Sequence, residues 1–551
     1  MLGILPAETL LEILTFLPLP DLNSVQLTCK DWNKLVHTNE EYLFRNWFRA
    51  SRDDRADFAD LELAKGKHAL KWLDGVSTWK GLARRHILVE RSWTGKEKAV
   101  IKSLPLSSHM VHRFKVDEVE QTLLISNNSG SLIGGLKVAD IASDEIVWSL
   151  PPRYVDAYAH VEYDSKSGYM AFNRSSHEID IWQRSTDPPH PLARPSQLQS
   201  MLHANESASQ RQQRGKLVPV AVLNHAGQTR AFRLVYPTLL VASQEAGTAY
   251  VWDLPTLTCQ EINVGPGWTP WGQQWIYYVE VSQKHVFVCS DNQVKVFDRA
   301  GGTCILEFPP TNSILNSPAR QQMISYSLDR NPPASLPTPD AIGRNIPDKP
   351  LYAMTACALV RPTRSLKDAQ EADLDTEDVD WHPDLEAFAH AGGLFAFSAV
   401  HVSPNGKDFI AVHTKECLYY VRDFGKGVEG LEERTSVLRF SSASIQNLAF
   451  DGRRALVTTS KGVYILTPNL SWKEGDEADP FTLHMVAPFT DRYALTHLSC
   501  AQLTETAIWL TWHPGVRRFH MNAEGIPVEV NGIRNAPLIH YVDFTYDPEA
   551  R

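Results

Sequence analysis

The sequence predicts an α + all-β chain: a small N-terminal helical module, a helical linker, and then a long succession of short strands. Three observations predict it. Apolar residues in about the first hundred positions recur at helical spacing. After Gly95 they fall instead into short runs separated by polar turns. Those runs return with a period of 44 to 49 positions, as from Val116 to Val161, Val235 to Val279 and Val400 to Leu448.

Composition bounds the function before any motif is read. The 551 residues are 43% hydrophobic and 21% charged, as in a folded multidomain protein. A net charge of −10 argues against a general nucleic-acid binder. Seven scattered cysteines without a C-x-x-C pair suit a reducing compartment and carry no zinc pattern. No apolar run reaches the roughly 18 residues a membrane span needs. Glu8, Glu12 and Asp21 interrupt the N-terminus, which has no basic leader, so a secretory signal is not expected. No membrane partner is expected, and the location expected is cytoplasmic and/or nuclear.

The first helix is expected to open at Leu5-Pro6, with proline tolerated at the first helical position. Leu10, Ile13, Leu14 and Leu17 follow the i, i+3, i+4, i+7 rule and make one stripe. Pro18 and Pro20 end it. Asp21 is expected to cap a second helix carrying Leu22 and Val25, and Asp31 a third carrying Trp32 and Leu35. Leu43, Phe44, Trp47 and Phe48 mark a fourth. So much apolar surface on about fifty residues exceeds what so small a segment buries alone, which points to a partner that covers it.

The ordered set Leu5-Pro6-Ala7-Glu8, Ile13-Leu14, Leu17-Pro18, Asp21-Leu22, Val25, Cys29-Lys30-Asp31-Trp32 and Leu35 resembles an F-box, over about residues 2–48. The resemblance implies docking onto the Skp-type adaptor of an SCF ubiquitin ligase with its cullin scaffold. The residues it marks for that contact are Leu5, Pro6, Leu10, Ile13, Leu14, Leu17, Leu22, Val25 and Trp32, some of which must instead hold the module's own core.

Residues 49–98 read as a helical linker, amphipathic through Phe58, Leu61, Leu70, Trp72 and Leu73 and helical again over Trp79–Trp93. This stretch resembles the linker of F-box proteins that carry a WD-type propeller, and Arg84-Arg85 reads as a solvated face.

Seven instances of one strand unit follow: Glu120–Ala139, Val161–Gln183, Val235–Leu254, Val279–Arg299, Val400–Phe424, Leu448–Pro468 and His497–Phe519. The period is that of a four-stranded blade, so residues 99–551 are expected to form a β-propeller of seven blades, with six or eight as the alternatives. Trp252-Asp253 is WD-like, with echoes in Phe297-Asp298 and Arg422-Asp423, though the Gly-His element of WD40 repeats is mostly missing. A β-sandwich with a second β-domain is the rival fold, and regular spacing favours the propeller. Two intervals break the period, at about 185–216 and 309–394, and read as partly disordered insertions rich in Pro and polar residues. The acidic run Glu371–Asp380 lacks the glycine a calcium loop needs and reads as solvated charge.

Catalytic patterns are missing. There is no Walker loop, H-E-x-x-H or G-x-S-x-G, and the 20 histidines form no ligand-spaced cluster. His177-Glu178-Ile179-Asp180 lies at a blade turn and reads as structural. No cofactor, metal or catalytic residue is expected, and no enzyme activity of the chain's own. Arg153, Arg174 and Arg230 lie near strand ends and are the candidates for a phosphate-reading surface, with the substrate site itself left open. The function expected is a substrate-recruiting adaptor of a ubiquitin ligase, its propeller holding a protein substrate. The alternatives are a scaffold outside any ligase, and a propeller hydrolase with convergent carboxylates at the channel mouth.

Overall fold

The structure is a computed structural model. It describes residues 5–50, 60–66, 71–104, 111–127, 135–156, 158–204, 213–243, 245–265, 268–269, 272–273, 276–290, 293–309, 325–326, 352–360, 396–413, 417–440, 443–469, 479–489, 492–512, 518–521, 527–530 and 538–547. The chain divides into two compact units, Met1–Ala99 with Phe544–Arg551, and Val100–Asp543.

The first unit is helical. Its elements are α1 (Ala7–Thr15), α2 (Leu19–Thr28), α3 (Lys30–Thr38), α4 (Glu40–Ala50), α5 (Leu61–Gly66) and α6 (Trp79–Trp93). Pro6 is the N-cap of α1 rather than its first helical residue. Asp21 and Asp31 do not cap; Pro18 and Cys29 hold those positions, and both aspartates sit in a first turn, where the helix dipole favours a negative charge. Thr78 caps α6 by accepting from the Gly81 N–H at 3.1 Å.

One core runs through the expected head and linker alike. Leu14, Leu22, Val36, Leu43, Phe44 and Phe48 pack with Leu73, Trp79, Leu82 and Ala83, and the Phe48 and Trp79 rings lie 5.7 Å apart. The C-terminal residues return to this unit. Phe544 stacks on Trp93 at 3.8 Å. Asp547 accepts from Arg84 at 2.8 and 3.1 Å and pairs with Arg85 at 3.3 Å. Arg84-Arg85 is therefore an anchor for a buried carboxylate, not a solvated face, and the β-unit ends at Asp543 rather than at the chain end.

The second unit is a seven-bladed β-propeller. Its inner strands are, for blades 1 to 7, Val111–Asp117, Val161–Asp164, Thr229–Val235, Ile276–Val281, Phe397–Val402, Ile445–Phe450 and Ala501–Leu503. Each opens a sheet of four or five strands, and each inner strand neighbours the next. The ring closes where Ser499 Oγ donates to the Val111 carbonyl at 3.0 Å and the Val116 N–H donates to Gln502 Oε1 at 3.1 Å. The seven repeated units of the sequence fall one in each sheet. The last blade is completed from the other end of the unit, by Ala99–Leu104 paired antiparallel with Leu538–Asp543, Val100 opposite Asp543 and Leu104 opposite Ile539.

Both insertions contribute structure. The first carries α7 (Gln197–Ala204). Ser196 and Gln199 form a reciprocal capping box: the Gln199 N–H donates to Ser196 Oγ at 3.2 Å, and the Ser196 N–H donates to Gln199 Oε1 at 2.9 Å. The segment closes onto blade 1 through Glu120, which accepts from Thr186 Oγ1 at 2.5 Å and from the Gly215 N–H at 2.6 Å. Gly215 has φ +79°, and a Cβ there would collide with Val147. The second insertion returns to the rim three times. Ser325–Tyr326 pairs with the outer strand of blade 5, Tyr352–Met354 with that of blade 7, and Cys357–Val360 with that of blade 6. The acidic run 371–380 lies outside the described residues. No described helix is long and apolar enough to cross a membrane.

Candidate functional site

The residues marked for docking divide by burial. Leu14 and Leu22, 3% and 2% exposed, lie inside the helical core, so they shape the module and do not face a partner. Leu10, Leu17, Val25 and Trp32 are half-buried, and Pro6 is exposed. Leu5 and Ile13 point outward at 46% and 48% exposure. Two more exposed residues were not among those marked for docking: Phe16 at 79%, just past the end of α1, and Leu27 at 86%, near the end of α2. Leu27 was visible as an apolar residue facing away from Leu22 and Val25; Phe16 as one breaking the α1 stripe. Large apolar side chains left so exposed carry meaning when they share a small module. Tyr42 Oη donates to Glu12 Oε2 at 3.0 Å, which ties α4 to the polar side of α1.

The propeller channel holds the second arrangement. At the same place in every inner strand, three pairs in from the hairpin turn, stand Lys115, Glu162, Arg233, Glu280, His401, Ala449 and Gln502. The first five form a continuous belt. Lys115 Nζ lies 2.9 Å from Glu162 Oε1, Arg233 Nη1 lies 3.0 Å from Glu162 Oε2, and Arg233 Nε lies 3.2 Å from Glu280 Oε1. His401 Nδ1 lies 2.8 Å from Glu280 Oε2, and His160 adds a contact to Glu162 Oε1 at 3.1 Å.

Burial alone would raise the Glu162 carboxyl; Lys115 and Arg233 outweigh it and hold it well below the ordinary carboxylate range. Glu280 is likewise lowered, burial being outweighed by Arg233 and His401. Burial opposes the charge of Arg233, and Glu280, Tyr278 and Glu162 more than restore it. Two carboxylates held ionised by two cations neither give nor readily accept a proton. The belt therefore ties blades together and offers no acid–base pair.

One buried acid stands apart. Asp180 is fully buried in the third strand of blade 2, Glu178–Arg184. It accepts from Tyr154 Oη, from Trp182 Nε1 at 3.2 Å and from Gln199 Nε2 of α7 at 3.3 Å. Burial pushes it up to about 6 in spite of those donors. It fastens the first insertion to its blade. Of the three arginines named for phosphate reading, Arg174 is engaged with Glu178 at 3.6 Å and lies over the Tyr154 ring at 5.4 Å. Arg153 is exposed, and the Arg230 side chain lies outside the described residues. Among the described residues no group of three or more His, Cys, Asp or Glu could hold a metal ion.

Residues 2–50 match the F-box-like family profile. The N-terminal module is an F-box-like domain. No curated protein matches the chain. Among solved structures, the β-propeller domain of Cps50 (Swd1) from Myceliophteria thermophila is 9% identical, with 81% of this chain and 99% of that one covered and a TM-score of 0.38. Raptor from Chaetomium thermophilum is 8% identical, with 93% of this chain and 37% of that one covered and a TM-score of 0.41. The propeller assignment rests on the strand pairing, not on these likenesses. The chain thus joins an F-box-like domain to a seven-bladed propeller, the architecture of an F-box/propeller adaptor.

The sequence carried a signal for the belt that periodicity alone passed over. Each belt residue is a charge or histidine between apolar neighbours: Phe114-Lys115-Val116, Val161-Glu162-Tyr163, Phe232-Arg233-Leu234, Val279-Glu280-Val281 and Val400-His401-Val402. A charge set between inward-facing residues of a strand is paired or it does not stay.

Proposed function

We propose that the protein is the substrate-recognition subunit of an SCF-type ubiquitin ligase. Its F-box-like domain binds a Skp-type adaptor, through it a cullin scaffold, and its propeller holds a protein substrate. The observation that carries this reading is the F-box-like domain with Ile13, Phe16 and Leu27 outward and its own core already filled by Leu14 and Leu22. The subunit is non-catalytic: it raises the effective concentration of a substrate lysine near a charged ubiquitin carrier, and proximity supplies the rate. The site of action is cytoplasmic and/or nuclear.

The test is affinity purification of the full chain, wild type against Ile13→Asp/Leu27→Asp, with mass spectrometry of what is retained. The Skp-type adaptor and cullin are expected with the wild type and lost with the double variant, while propeller-bound proteins remain in both. Deleting residues 1–50 is the poorer experiment, because α4 and α6 share one core. A wild-type chain that retains substrate-like partners but neither adaptor nor cullin overturns the ligase reading.

A further inference from the structure

Gln183, in the third strand of blade 2, holds a buried acceptor that has no donor. The residue is 5% exposed. Its Nε2 donates to the Pro188 carbonyl at 2.9 Å, and a carbonyl oxygen only accepts, so the amide cannot exchange its two ends. That leaves Oε1 without a partner among the described residues. A buried amide oxygen in this state weakens the fold until something brings it an N–H or O–H.

The same side chain lines a cavity of about 360 Å³. That volume lies toward the small end of the roughly 300–1,000 Å³ of ligand sites, enough for one large side chain and too little for a folded segment. The outer strand of blade 2, Leu217–Asn224, supplies Val218, Pro219 and Val220 to its wall, and the first insertion supplies Pro189, Pro195 and Ala204. Among the described residues no lysine, arginine, aspartate or glutamate lines it. His190 also lines it, but both of its ring nitrogens are engaged, Nε2 with the Leu254 carbonyl at 2.9 Å and Nδ1 with the Leu192 N–H at 3.1 Å. An apolar, uncharged wall with one vacant acceptor suits an apolar, uncharged body that carries one donor.

We infer that this cavity is a docking pocket for the indole of a tryptophan on a partner protein, with the indole N–H directed to Gln183 Oε1. Indole nitrogen donates and does not accept, so it brings no acceptor that the wall would have to satisfy. Leu192, Leu198 and Met201 stand exposed on the insertion that forms the cavity, and Leu198 and Met201 share one face of α7. An apolar shelf beside an aromatic pocket is what a protein surface covers and a free metabolite does not. The chain's own nearest segment cannot fill the pocket. Residues 205–212 leave from Ala204 at its wall and hold no apolar side chain larger than alanine. The inference stands apart from the ligase reading, since a partner anchored on blade 2 needs no adaptor.

Saturation-transfer NMR titration of the full chain tests it with two neutral probes, N-acetyl-tryptophanamide and its 1-methylindole analogue. The first is expected to bind the wild type in the millimolar range, as one unsupported anchor does. The second lacks the N–H and is expected to bind about fivefold more weakly, the net worth of one hydrogen bond. Gln183→Met removes the acceptor at similar length and is expected to bind both probes alike. Ser200 is an exposed α7 residue on the cavity wall; Ser200→Trp leaves the core untouched, fills the cavity, and is expected to abolish the signal of both. Equal affinity of the wild type for the two probes overturns the proposal, as does a Ser200→Trp chain that binds like the wild type. A wild type that excludes the probe, because another segment of the chain or a second copy occupies the cavity, overturns it as well.

Discussion

Replacing Leu27 with Asp separates docking from folding more cleanly than any change in the α1 stripe. Leu27 is 86% exposed, so the folded chain has little to lose there, within about 0.5 kcal/mol for a surface substitution. The adaptor complex has more to lose. Covering a leucine side chain contributes ~1.5–3 kcal/mol, and enclosing a carboxylate in its place without a partner costs ~1–3 kcal/mol or more. Together these are worth about a hundredfold or more in Kd, at 1.4 kcal/mol per tenfold. Titration calorimetry of the full chain against a purified Skp-type adaptor measures the loss, with circular dichroism to confirm that the helices persist. Phe16→Asp is expected to behave alike. Leu14→Asp is the contrasting control: at 3% exposure it puts a charge into the shared helical core and should unfold that unit. A folded Leu27→Asp chain that binds within about threefold of the wild type, a difference below 1 kcal/mol, would refute the docking face.

Two further outcomes concern the propeller. Glu162→Ala removes the acceptor shared by Lys115, His160 and Arg233 and leaves half-buried cations facing one another; a loss of about 3–5 kcal/mol is expected in urea unfolding followed by tryptophan fluorescence, with Glu162→Gln milder. An unchanged unfolding midpoint would mean the belt is ornamental to stability. Asp180→Asn tests the buried acid. Its carboxyl titrates near 3.8 when unfolded and about 6 when folded, so between those values only the folded chain keeps the proton, and stability falls as pH rises through that window, by roughly 3 kcal/mol. The Asn variant should lose that slope, and a variant as steep as the wild type would show that the folded Asp180 carboxyl is not raised.

The blades were legible because their strands repeat. The starts of the recurring units at Val161, Val279 and Val400 each fall one residue before a belt position, at Glu162, Glu280 and His401. The belt itself was not read, because a lone charge in a strand resembles any polar interruption until its partner 47 positions away is brought alongside. The docking residues were named by family pattern, and pattern mixes the inward Leu14 and Leu22 with the outward Ile13. Three-dimensional burial separates them, since α3 and α4 cover one side of α1 and leave Phe16 bare. The rim strands at 325–326 and 352–360 had no periodic signal at all. Short segments that borrow their partners from strands about 100 or more positions away are set by tertiary pairing, not by local propensity.

The crossing points between the two units, Ala99 to Val100 and Asp543 to Phe544, sit on strands that pair with each other. The propeller is therefore spliced into the helical unit, whose last contributions, Phe544 on Trp93 and Asp547 on Arg84 and Arg85, are translated after the seventh blade. A nascent chain cannot finish its helical unit until the strands of its propeller have been synthesised. A chain cut short before Phe544 lacks that carboxylate lock.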